Sequence, residues 1–178
     1  VLAWVDFVRK GTQADNIYNT SDLQNVYISK PEHYTGFHIA KDAFVGQALL
    51  DLTPYEGQNN KQVPLTLTMK RPFAVYRIES TDIQKFINDQ QTRSPGLTTR
   101  VSYNLYFPLG YNVFLDKPNN LTTGIGYTYP VTYAMEDKVV VLASDFVFAN
   151  SETFYQLNFT VYSASGQPIV TATNVEIN

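Results

Sequence analysis

The residues of this chain with the widest chemical repertoire are its two histidines, His33 and His38, in Lys30-Pro-Glu-His-Tyr-Thr-Gly-Phe-His38. Two imidazoles could share a metal, but paired ligands need the i, i+4 spacing of a helix face or the i, i+2 spacing of a strand face. Positions 33 and 38 fit neither. The nearest oxygen donors, Glu32 and Asp42, complete no recognisable ligand set, so both histidines read as solvated loop residues.

Nucleophilic and acid–base chemistry find little more. There is no cysteine, which removes thiolate catalysis, disulfides and cysteine–metal centres. No Gly-x-Ser-x-Gly elbow occurs, and the serines fall in turns and on strand faces. The glycines of Thr123-Gly-Ile-Gly126 lack the third glycine and the following helix of a phosphate cradle. A glycosidase-type carboxylate pair needs only proximity in space, so Glu136-Asp137, Asp145 and Asp51 stay as nominal candidates. Against that, Glu136-Asp137-Lys138 reads as a solvated turn entering a strand. The expectation is a protein that is not an enzyme, with no catalytic, cofactor-binding or metal-ligating residues.

Charge narrows the partners. The 13 Lys and Arg are scattered among 16 Asp and Glu, for a net charge of -3, so the basic stripe of a nucleic-acid binder is missing. No apolar run approaches the roughly 18 residues of a membrane span. The opening Val1-Leu2-Ala3-Trp4-Val5-Asp6 has neither a basic leader nor a small-residue cleavage site, so for an exported protein the signal is expected upstream of residue 1.

The elements that must carry the surface are strands. At 178 residues the chain suits one domain, 1–178, and its 13 Tyr and 11 Phe favour sheet over helix. Alternation is cleanest over 97–107, which places Leu97, Val101, Tyr103, Leu105 and Phe107 on a buried face. The same pattern over 154–163, the turn Ser163-Ala-Ser-Gly-Gln-Pro168 and a return strand over 169–177 predict a β-hairpin. Leu65, Leu67 and Met69 also alternate, with a phase slip at Arg71-Pro72 before Phe73; a second slip falls at Ser144-Asp145. Two long, bent strands are therefore expected, with shorter ones over 3–8, 23–29, 111–115 and 127–133. Thr81 and Gln84 have capping-box spacing ahead of Ile83, Phe86 and Ile87, which predicts one short helix near 81–90. A further helical turn or two is read over 41–50.

The remaining lead is aromatic. Exposed tyrosines such as those of Gly126-Tyr-Thr-Tyr-Pro130 could form a sugar-stacking or protein-contact surface, the alternative being that they pack the core.

Two stretches resemble the fimbrillin-like cell-surface proteins of Bacteroidales. The first, Met69-Lys-Arg-Pro-Phe-Ala-Val-Tyr-Arg-Ile-Glu-Ser-Thr-Asp-Ile-Gln-Lys-Phe86, is similar to that group's passage from strand to short helix. The second is Ala143-Ser-Asp-Phe-Val-Phe-Ala-Asn150 with Leu157-Asn-Phe-Thr-Val-Tyr-Ser-Ala-Ser-Gly166, similar to its paired late strands. Trp4-Val-Asp-Phe-Val8 and Asp42-Ala-Phe-Val45 fit less specifically. The resemblance implies a transthyretin-like antiparallel β-sandwich, display at the cell surface or outer membrane, and a structural or adhesive role without enzymatic activity. It implies partners that are other fimbrial subunits, joined by strand addition. Since no cysteine is present to bear a lipid, the implied lipoprotein anchor is expected upstream. The alternative function is a surface lipoprotein that binds glycan or host protein through an aromatic patch.

Overall fold

Alternating side chains decide the best-formed part of the molecule. In the computed structural model, which describes residues 1–12, 16–82, 96–134 and 137–177, Leu97, Thr99, Val101 and Tyr103 are buried and the residues between them face outward. That strand, β6 (Leu97–Tyr103), lies at the centre of an antiparallel sheet. It pairs on one side with β9 (Gly126–Val131) and on the other with β11 (Tyr155–Tyr162), which in turn pairs with β12 (Pro168–Ile177). The expected hairpin is present: β11 and β12 flank a turn closed by Gly166, whose positive φ of 80° favours glycine.

A second four-stranded antiparallel sheet runs β2 (Tyr18–Asn19), β3 (Val26–Ile28), β7 (Phe107–Asn112) and β8 (Lys117–Thr122). Two antiparallel ribbons complete the framework. One joins β1 (Leu2–Asp6) to β4 (Ala43–Gln47), the other joins β5 (Phe73–Ser80) to β10 (Val140–Phe148). Tyr18, Val45, Tyr103, Phe107, Phe148 and Leu157, contributed by all four sheets, meet in one core. Burying each such side chain is worth about 1.5–3 kcal/mol. A second cluster, Leu97, Val131, Val140, Leu142 and Val161, fills one end of the molecule. The architecture is a mostly-β, antiparallel β-sandwich.

Several expectations are corrected. The residues read as helical over 41–50 form β4 instead, because Ala43 and Val45 are buried on one face and pair with β1. Leu65, Leu67 and Met69 alternate without a ladder. Leu65 is exposed, and a single bridge from Lys70 to Val45 is the one pairing before β5 begins at Phe73. Leu105 is exposed, not buried: its φ of 61° breaks the strand between β6 and β7. The strand expected over 111–115 ends at Asn112, leaving Phe114 and Leu115 exposed in a turn. In β10 the irregularity lies between Val141 and Ala143, not at Ser144-Asp145, and those two polar residues sit within a nearly unbroken buried run. The helix expected near 81–90 lies, from residue 83 onward, outside the described residues.

Candidate functional site

Asp145 sits on β10 with no solvent exposure, and Lys41, at the end of the 3-10 turn Ile39–Lys41, is 4% exposed. The Lys41 Nζ donates to Asp145 Oδ1 at 2.6 Å and to the Thr35 carbonyl at 2.9 Å. It also lies 4.2 Å from the centre of the Tyr34 ring, a cation–π contact. The second carboxylate oxygen is held separately. Tyr34 Oη and Tyr103 Oη both donate to Asp145 Oδ2, at 2.6 and 2.7 Å.

The hydroxyls continue outward from there. Tyr76 Oη lies 2.9 Å from Tyr103 Oη and 2.8 Å from Tyr127 Oη, and Tyr127 Oη donates to the Ser144 carbonyl. Ser144 Oγ donates to the Tyr76 carbonyl, and Tyr18 Oη donates to the Lys41 carbonyl at 2.5 Å. Every arm is aromatic: Tyr103 stacks on Phe107 at 4.0 Å, and Tyr34 meets Phe107 edge-on. The network therefore satisfies buried polar groups inside an apolar shell, which a buried charge requires.

Electrostatics follow the burial. Loss of water pulls the Lys41 ammonium below the ordinary lysine value, with Asp145 opposing. The same loss pushes the Asp145 carboxyl up, with Lys41 and the two tyrosines opposing. Burial, then the charge of Asp145, raises the Tyr34 hydroxyl.

A cleft of about 120 Å³, lined by Ile17, Ile28, His33, Tyr34, Thr35 and Lys41 among others, reaches the lysine side but not Asp145. Ligand pockets usually span about 300–1,000 Å³. Three further clefts, beside Asp116, Glu56 and Asp82, each carry one carboxylate.

The residues singled out in the sequence are dispersed. His33 is exposed in the turn Pro31–His33, 3.9 Å from Glu32, while His38 Nδ1 caps the next turn by accepting from the Ala40 amide. Asp51 is exposed and accepts from the Thr53 amide; Asp137 Oδ2 accepts from the Ala134 amide; Glu136 lies outside the described residues. Asp145 enters a buried polar cluster, and its charged partner there is a lysine. Tyr127 is buried and Tyr129 half-buried, so the expected surface of Gly126-Tyr-Thr-Tyr-Pro130 faces largely inward. Of the 13 tyrosines, Tyr106 alone is exposed, at 69%.

What stays open is backbone. Among the described residues β12 is paired on one side only, but two register shifts against β11 and the positive φ of Asn174 twist it, a common protection of an edge. Among the described residues β1 is also paired on one side only, in unbroken register with β4 from Leu2 to Asp6. It has no proline, no bulge and no lysine, and Val1, Val5, Phe7 and Val8 along and just beyond it are exposed. Trp4 ties the strand down by packing edge-on against Tyr18 at 5.2 Å.

Fold and site together define an antiparallel β-sandwich with a buried ionic centre and an unbulged strand edge at β1. The chain matches the family of unknown function DUF6562 over residues 1–178, and it belongs to that family. No curated protein and no solved structure matches it.

Proposed function

We propose that this domain is a non-enzymatic structural or adhesive component of the cell surface, a fimbrial subunit or fimbria-related lipoprotein domain. It would join a neighbouring subunit by strand addition at β1. The observation that supports this reading is the β1 edge itself. An unprotected, in-register strand with exposed apolar side chains is a template for another strand, and native proteins ordinarily blunt such edges. The likeness of residues 69–86 and 143–166 to fimbrillin-like proteins points the same way and supplies the surface location. Chemistry at the buried Lys41–Asp145 cluster would require a substrate to pass its aromatic shell.

A photo-crosslinking residue placed at Val5, compared with one at the exposed Thr128 of β9, tests the reading in intact cells of the source organism. The expected result is a covalent adduct from Val5 to a surface subunit or a second copy, with none from Thr128. Protein retained in the cytosol, or no adduct at Val5, would overturn it.

A further inference from the structure

We propose that Lys41 and Asp145 join as an intramolecular amide, formed by the folded domain itself and stapling the turn before β4 to the centre of β10. The two groups are already in direct contact. The amine nitrogen sits 2.6 Å from Asp145 Oδ1, so the carboxyl carbon is one bond further on. Both side chains are closed to solvent, at 4% and 0% exposure. Held reactants of this kind show effective molarities of about 10⁵–10⁸ M, against which bulk water competes poorly.

The two carboxylate oxygens are differentiated as such a reaction needs. Oδ2 accepts from the Tyr34 and Tyr103 hydroxyls, an arrangement that stabilises negative charge developing on that atom. Oδ1 accepts from the lysine that attacks, and that contact leaves it as the departing oxygen. Burial lowers the Lys41 ammonium and raises the Asp145 carboxyl, both shifts toward the neutral forms that react, with the charge of each partner opposing.

The step balances without any other reagent. The Lys41 lone pair attacks Cγ of the protonated Asp145, forming the N–C bond and placing charge on Oδ2. One amine proton passes to the Oδ1 hydroxyl, the C–O bond breaks, and water leaves as the carbonyl re-forms on Oδ2. No electrons are exchanged with any third group. The product keeps its partners: Oδ2 still accepts from both tyrosines, and the remaining N–H still points at the Thr35 carbonyl. It also abolishes two buried charges, which are costly to hold in a dry interior. The amide lies wholly in the interior and forms whether or not β1 recruits a partner.

Intact-mass spectrometry of the folded, purified protein decides the matter. The expected mass is one water below the sequence mass, with a proteolytic fragment joining the residue 41 segment to the residue 145 segment and no tryptic cleavage after Lys41. Asp145→Asn should reach the same product mass by losing ammonia, and Asp145→Ala should keep its full sequence mass. Tyr103→Phe should slow formation about a hundredfold. Wild-type protein that keeps its full sequence mass through prolonged incubation in the folded state would overturn the proposal, as would a water loss mapped to other residues. The wild-type mass is decisive by itself, so the proposal stays falsifiable even where a variant fails to fold.

Discussion

Lys41 and Asp145 are 104 positions apart in sequence and 2.6 Å apart in space, and before any amide forms each is the other's charged partner in a shell of tyrosines. Removing one member leaves the other buried without compensation, which typically costs about 3–5 kcal/mol. Asp145→Ala should therefore lower unfolding free energy by at least that amount in a urea titration. The double variant Lys41→Met/Asp145→Leu should be more stable than either single variant, because no charge is then left stranded.

Alkaline pH should act through the tyrosines. Burial, the largest cause for each, raises the ionisation of Tyr18, Tyr34, Tyr76, Tyr103 and Tyr127 above its ordinary value. In the unfolded chain these rings ionise near pH 10. A value raised on folding contributes stability that is fully present below about pH 10 and is lost as pH climbs through the folded-state value. Before the amide forms, Lys41, lowered by burial, acts in the opposite sense, but it is one group against five. Stability should hold to about pH 9 and fall above about 10, with the tyrosinate absorbance of these rings appearing only as the domain unfolds.

Gly36 is the close-approach point of the cluster. A Cβ there would lie 2.4 Å from the Tyr127 ring and 2.8 Å from the Ser144 carbonyl, the group that accepts from Tyr127 Oη. Gly36→Ala should push Tyr127 off Tyr76 and cost about 1–3 kcal/mol, read as a shift of the urea midpoint. Gly57→Ser, with nothing within 4 Å, serves as a control that crowds no neighbour; any cost there comes from its positive φ of 77°.

The mostly-β class and the late hairpin were legible in the sequence because both rest on period-two alternation, a local signal, whereas the sandwich arrangement was implied only by the resemblance to fimbrillin-like proteins. The short strands were less so: β4 is only five residues long, and its Gly46 and Gln47 blur the pattern that Ala43 and Val45 begin. Met69 explains part of the difference over 65–69, since its sulfur packs where a Cβ on Gly46 would be, half-burying the side chain without building a ladder. Asp145 did leave a trace, as a polar pair with Ser144 inside the apolar run of β10. A buried carboxylate needs a partner, but no spacing rule identifies one 104 residues away. Lys41 carries no local mark at all. The tyrosines were visible by number, yet only the packing shows that their hydroxyls converge inward.

A charge on the β1 edge should separate folding from assembly. Val5 is 54% exposed, so Val5→Lys should change stability by no more than about 0.5 kcal/mol. The same lysine should suppress strand addition, as edge lysines do in native sheets. Thermal unfolding of the variant beside surface assembly in cells checks both halves.

Amide hydrogen exchange reads strand addition at β1 residue by residue, when the isolated domain is compared with protein kept in its native surface assemblies. Amides of β1, residues 2–6, should gain strong protection in the assembled form while those of the central strand β6 stay unchanged. Equal exchange along β1 in the two forms would contradict strand addition at this edge.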